Sequence, residues 1–144
     1  MTENQDYKRR MQKHERELHE KYMSLYHDER SYEELLSSMR AFFGERSWEL
    51  KELDRKREEN PTWFREGNML GMTMYPKLFA GGLRGLIEKL DYLSEQKITY
   101  LHLMPLLKMP HPFNDGGYAV EDFRTVDPEI GTNSELCELT AALR

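Results

Sequence analysis

Asp115 and Tyr118 are the residues of this chain whose types and spacing best suit chemistry. They lie in Asn114-Asp115-Gly116-Gly117-Tyr118-Ala119-Val120. The two glycines free the backbone for tight or positive-φ geometry, so an acid and an aromatic can be aimed at one small volume. Such a pair would make a binding site. The competing reading is an Asp-Gly surface turn followed by a core tyrosine.

Other reactive residue types carry weaker signals. Glu121 and Asp122 follow the motif, and adjacent carboxylates suggest acid/base work. His102 stands mid-strand among apolar neighbours. A catalytic residue belongs at a strand's C-terminal end, so His102 reads as a hydrogen-bonded core histidine. His14 and His19 lack the shared helix face that a metal pair needs. Cys137, the single cysteine, excludes an internal disulfide and reads as a small packing residue. No cofactor and no metal site is expected.

The elements that must hold the motif follow from periodicity. Residues 98–104 form an apolar run ending at Pro105, which predicts a buried strand. A loop with prolines at 105, 110 and 112 comes next, too long for a hairpin turn. Met69–Tyr75 predicts an earlier buried strand halted by Pro76, with Met69, Met72 and Met74 as packing. Gly81-Gly82 precedes one helix carrying Leu83, Leu86, Ile87, Leu90 and Leu93. Thr132 and Glu135 form a capping box for a last helix with Leu136, Leu139 and Leu143. Strand, helix, strand, helix is the parallel β/α pattern. Two strands apolar on both faces expect neighbours, so the chain reads as truncated.

The first sixty residues differ. They hold 13 of the 21 Lys and Arg and 15 of the 26 Asp and Glu, which marks a boundary near Asn60-Pro61. Tyr7, Met11, Leu18, Tyr22 and Leu25 make one apolar helix stripe. Ser31 with Glu34 predicts a capping box opening a second helix, with Leu35, Met39, Phe42 and Phe43 as its apolar face and Gly44 as its stop. Ser47 opens a third, with Trp48 and Leu53, ended by Asn60-Pro61. Such a bundle has a marginal core by itself and is expected to pack on the C-terminal part of the chain, with residues 61–64 as a wedge. A coiled-coil arm is the competing reading.

A net charge of −5 with interspersed signs argues against nucleic acid as a partner. No apolar run reaches the ~20 residues of a membrane span, and the N-terminus lacks a signal peptide's apolar segment. No membrane association is expected, and the cytoplasm is the expected compartment.

The segment Gly117–Thr132 resembles the stretch after the second barrel strand of glycoside hydrolase family 13, the α-amylase family. Phe79–Leu86, Thr99–Lys108 and Asn114–Val120 bring the resemblance closer to its amylosucrase-type members. It covers residues 45–144, and the first forty residues only by architecture. The implied fold is an all-helical N-terminal domain, residues 1–64, followed by the first two β/α units of a (β/α)8 TIM barrel, residues 65–144. The implied activity is a retaining double displacement. Sucrose is split, fructose leaves, and glucose passes to an α-1,4-glucan acceptor. By the family pattern the nucleophile, the acid/base and the third acid lie beyond Arg144, so no catalytic residue falls in this chain.

The part of the family's site that this chain would hold is the glucosyl pocket: Asp115 as the acid that hydrogen-bonds glucose, Tyr118 as the ring that stacks on it. Glu121 and Asp122 are not the family's catalytic pair and read as structural or solvent-facing, while His111 is a candidate contact to an acceptor sugar. Sucrose hydrolysis is the alternative activity within the family. A catalytically silent carbohydrate-binding or interaction module is the alternative from another class. The first reading predicts that the isolated 144-residue chain releases no fructose from sucrose, which a fructose assay checks.

Overall fold

The computed structural model describes residues 3–144, with side chains from residue 5 onward. The chain divides into two compact units, Met1–Pro61 and Thr62–Arg144.

The first unit holds three helices, α1 (Glu3–Tyr26), α2 (Glu29–Glu45) and α3 (Trp48–Glu59). The Asp28 carboxylate, and not a Ser31–Glu34 capping box, opens α2 by accepting from the amides of Arg30 and Ser31. Asp28 precedes the first turn, so its oxygen reaches the two orphan amides that Ser31, already inside the helix, cannot serve. The Ser31 hydroxyl instead donates to the Asp28 carbonyl and accepts from Tyr22. Tyrosines then join α1 to α2: Tyr32 reaches the carbonyl of Glu15, and Tyr7 that of Leu36. Contacts of 22 with 31, 15 with 32 and 7 with 36 mean that the two helices run antiparallel.

Gly44 does not stop α2. The helix continues to Glu45 and ends where Arg46 turns extended, at φ −66° and ψ 130°. Arg46 grips Asp54 of α3 through two parallel hydrogen bonds, Nε to Oδ2 at 2.7 Å and Nη2 to Oδ1 at 2.8 Å. Ser47 caps α3 through the amide of Leu50, as its sequence predicts. Among the described residues of this unit only Tyr32 and Lys51 are buried. Lys51 extends its stem over the Phe43 ring, 4.9 Å from the centroid, and donates to the Gly44 carbonyl. Leu25, Phe42 and Trp48, expected on apolar faces, are 72%, 64% and 66% exposed. Aromatic–polar joins rather than a dry core hold these helices.

The second unit begins with a 3₁₀ turn, Trp63–Arg65, and continues β1 (Gly71–Met74), α4 (Pro76–Ala80), α5 (Leu83–Ile87), α6 (Leu90–Glu95) and β2 (Tyr100–Leu103). Strands β1 and β2 pair in parallel, Met72 beside Leu101 and Met74 beside Leu103. Pro76 opens α4 at its first turn, where a missing amide hydrogen costs nothing. The single helix expected from Leu83 to Leu93 is two. At Lys89 the amide bonds to Leu86, one residue tighter than a helix requires, and α6 restarts.

Two further strands, β3 (Leu107–Lys108) and β4 (Asp122–Val126), precede α7 (Asn133–Ala142). They pair antiparallel with a bulge between Leu107 and Lys108. The proline-bearing segment expected as open loop is therefore the excursion of a β-hairpin. The prolines lie where no ladder amide is needed. Thr132 and Glu135 form the predicted capping box on α7.

Met74, Leu83, Leu86, Leu93, Val126, Ile130 and Leu139 make one core. It forms on one side of the parallel pair, where Met72, Leu101 and Leu103 join it. Thr73, Tyr100 and His102 point the other way and are exposed. His102 is thus not a core histidine, because period-two alternation turns it away from Leu101 and Leu103. Cys137 is also exposed rather than packed, since α7 buries Leu139. Leu143, half exposed, falls past the helix end. No described helix is long and apolar enough to cross a membrane.

The Leu83 amide meets the Ile130 carbonyl at 2.7 Å, and only Gly82 permits that approach. Its φ is +144°, and an added Cβ would lie 2.5 Å from that carbonyl oxygen. Gly82→Ala is expected to cost roughly 2–4 kcal/mol in urea unfolding of the full chain. In the first unit, the Arg46 guanidinium holds the Asp54 carboxyl below its ordinary value of 3.8. A depressed folded-state pKa gives stability that is present above the unfolded value and lost as pH falls through the folded one. Asp54→Asn should cost about 1 kcal/mol at pH 7. The gap to wild type should close below pH 3.8, as followed by helical circular dichroism in urea.

Candidate functional site

The hairpin excursion from Met109 to Glu121 carries the Asp115 and Tyr118 motif, and its stem is fixed by a carboxylate that pattern reading passed over. Asp127 is fully buried. It accepts from the Met109 amide at 3.3 Å and from the Glu129 amide at 2.9 Å, and its Oδ2 lies 3.2 Å from His111 Nε2. Burial pushes its pKa up, but the bonds from Glu129, His111 and Met109 together hold it below its ordinary value. Charge is tolerable there because donors surround it. The one signal in the sequence is Val126-Asp127-Pro128, an acid directly after a strand and locked by a proline.

His111, expected as a contact to an acceptor, is engaged with Asp127 at the stem. Its ring therefore serves the loop's base. On the strand side the Glu121 amide donates to the Lys108 carbonyl at 2.8 Å, and the Glu121 carboxylate pairs with Lys108. Asp122 accepts from the Arg124 amide and the Thr125 hydroxyl. The Thr125 bond, then the Arg124 amide, keep Asp122 below its ordinary pKa. It stays ionised at neutral pH and is unsuited to donate a proton. Both acids are structural.

At the tip, the Asn114 side chain accepts from the Gly116 amide at 2.9 Å, and Asp115 Oδ1 accepts from the Ala119 amide at 2.8 Å. The second bond closes a turn that brackets Tyr118. Gly116 and Gly117 have φ of +81° and +90°, the left-handed region in which their lack of a Cβ matters. Gly117 also lies against Pro105, and a Cβ there would sit 2.3 Å from that ring. This contact ties the tip to the end of β2. Tyr118 is 76% exposed and Asp115 is exposed too, so neither the core-tyrosine reading nor a buried acid describes them. Acid and ring share one short, locally braced turn, with the exposed rings of Phe113 and Phe123 on the same excursion or at its edge.

This arrangement offers hydrogen-bond acceptance and ring stacking, the means by which proteins hold polyhydroxylated rings. No group of three or more His, Cys, Asp or Glu among the described residues is placed to hold a metal ion.

The profile described as the alpha-amylase catalytic domain matches residues 59–144. An alpha-glucosidase of Schizosaccharomyces pombe is 34% identical over 90 residues, 58% of this chain and 15% of that protein. The trehalose-6-phosphate hydrolase of Bacillus subtilis is 33% identical over 93 residues, 60% of this chain and 16% of that protein. Among solved structures, the trehalose-6-phosphate hydrolase of Bacillus licheniformis superposes with a TM-score of 0.49 at 31% identity, covering 56% of this chain and 15% of that one. The chain thus spans about 15% of the length of the relatives it matches.

Asp127→Ala leaves the Met109 and Glu129 amides without their acceptor. The expected cost is about 2–4 kcal/mol in urea unfolding, together with faster hydrogen exchange at both amides. Exchange unchanged at both would separate the loop's stem from Asp127.

Proposed function

Because this chain belongs to the alpha-amylase catalytic-domain family, we propose that its hairpin excursion supplies part of the glucosyl pocket of a retaining enzyme acting on α-glucosides. The observation that carries this reading is the Asp115–Ala119 hydrogen bond. It holds an acid and an exposed ring in one turn inside the matched segment. Asp115 accepts hydrogen bonds from sugar hydroxyls, and Tyr118 covers the apolar face of the pyranose. Their role is binding and orientation, which raises the effective concentration of the reacting centre.

The finer reading is an amylosucrase-type glucosyltransferase, which splits sucrose and passes glucose to an α-1,4-glucan. It rests on Phe79–Leu86, Thr99–Lys108 and Asn114–Val120. A family carboxylate outside this chain attacks the anomeric carbon as the fructose oxygen leaves with a proton from the acid/base. The acceptor hydroxyl then returns that proton to the same group as the new glycosidic bond forms. The second reading is hydrolysis, in which water takes the acceptor's place. Two relatives favour it, being named as a glucosidase and a hydrolase.

In the whole enzyme, Asp115→Ala or Tyr118→Ala should lower sucrose turnover by several orders of magnitude with the fold retained. Asp115→Asn, which keeps an oxygen for the Ala119 amide, separates the carboxylate's charge from loop closure. Wild-type turnover in Asp115→Ala or Tyr118→Ala would remove the assignment. Iodine-staining polymer identifies the transferase, and free glucose alone identifies the hydrolase.

A further inference from the structure

Asp115-Gly116 is the one Asp-Gly pair of the chain. The amide nitrogen that follows an aspartate is a latent nucleophile, because attack on its neighbour's side-chain carbonyl carbon closes a succinimide ring. Two conditions limit that attack: the following side chain must not crowd the amide, and the backbone must be free to turn. Gly116 has no Cβ, and no heavy atom lies within 4 Å of where one would sit. Asp115 and Gly116 are both exposed, and residues 111–120 hold no helix or strand, so no hydrogen-bond ladder fixes this backbone. The Gly116 amide donates to a side chain, Asn114 Oδ1 at 2.9 Å, and not to a backbone carbonyl. Asp115 is held through Oδ1 by Ala119, while its Oδ2 accepts from no described residue.

The other aspartates are placed differently. Asp6, Asp54 and Asp91 lie within α1, α3 and α6, where the backbone is held in the helical conformation. The Asp28 carboxylate is engaged by the amides of Arg30 and Ser31. Asp122 belongs to β4, and its carboxylate accepts from the Arg124 amide and the Thr125 hydroxyl. Asp127 is buried and precedes Pro128, whose nitrogen has no proton to lose. Asp115 alone combines an open glycine, exposure and an irregular backbone.

We propose that Asp115 is a site of spontaneous isomerisation to isoaspartate. The Gly116 nitrogen bonds to Cγ of Asp115. Its proton, one carboxylate oxygen and a proton from solvent leave together as water, and the succinimide results. Water then adds to the ring's main-chain carbonyl carbon, and the bond from that carbon to the Gly116 nitrogen breaks. The chain now runs through Cγ, and the former main-chain carbon is a free carboxylate. Water adding at Cγ instead restores aspartate, so water is the only co-reactant. Isomerisation inserts a methylene into the main chain of the turn and moves the carboxylate from the place where it accepts the Ala119 amide. The reaction does not depend on whether the turn binds sugar; where it does, the product no longer presents the acid beside Tyr118.

The test is peptide mapping of the intact chain after several weeks at body temperature and neutral pH. Labelling by an isoaspartate methyltransferase is the readout, beside the same chain kept unfolded in guanidinium chloride. Isoaspartate should form at Asp115 at least about tenfold faster than at any other aspartate, and in the folded chain within about tenfold of the unfolded rate. Isomerisation leaves the peptide mass unchanged, which distinguishes it from deamidation of Asn114. Hydrogen exchange at the Ala119 amide should be faster in the aged chain. Asp115→Glu, whose cyclisation needs a larger and slower-forming ring, should leave the peptide unlabelled. The assignment is overturned if the folded chain forms no isoaspartate at Asp115, if another aspartate isomerises as fast, if the label arises only at Asn114, or if Asp115→Glu labels like wild type.

Discussion

A buried carboxylate must have its oxygens met by donors, and Asp127 satisfies that demand in a way that sets the second unit's layout. Its side chain collects Met109 and His111 from the start of the excursion and Glu129 from after β4. Its own amide donates to the Leu106 carbonyl, and its carbonyl accepts from Ile130 and Gly131. That turn delivers Ile130 into the core and presents its carbonyl to Leu83 beside Gly82. One residue thus links the loop stem, the hairpin and the start of α5. The excursion's tip is positioned by consequence, with Gly117 against Pro105 as a second fixed point.

The parallel pair shows a different constraint. Met72, Met74, Leu101 and Leu103 belong to the core that the helices cover, while Thr73, Tyr100 and His102 lie on the open face. Strand residues read as apolar throughout are thus split by pleat geometry into two populations.

The helical unit obeys a third logic. Its side chains are too polar to build a dry interior, so tyrosine hydroxyls, the Arg46–Asp54 fork and Lys51 over Phe43 do the joining. These contacts depend on direction and charge more than on area, which also explains how a large cleft persists among its helices.

Local rules alone settle much of this. Ser47 and Thr132 cap the helices they precede because a cap needs only its own next three residues. The glycines at 116 and 117 take positive φ because nothing else does so freely. The motif Asn114–Val120 pointed to an acid and a ring at one place for the same reason, and the segments around it carried the family likeness. Other features depend on distant partners and emerged only with the folded chain. Asp28 rather than Ser31 caps α2 because the α1–α2 turn sets where the helix begins. His111 faces Asp127 and Leu107 pairs with Val126 only once the chain has doubled back. His102 and Cys137 are exposed because burial depends on which face meets the core. Residue order alone dictates the conformations that a few neighbouring residues can stabilise. Burial, ion pairing and strand partnership wait on residues tens of positions away, and spacing along the chain carries no record of them.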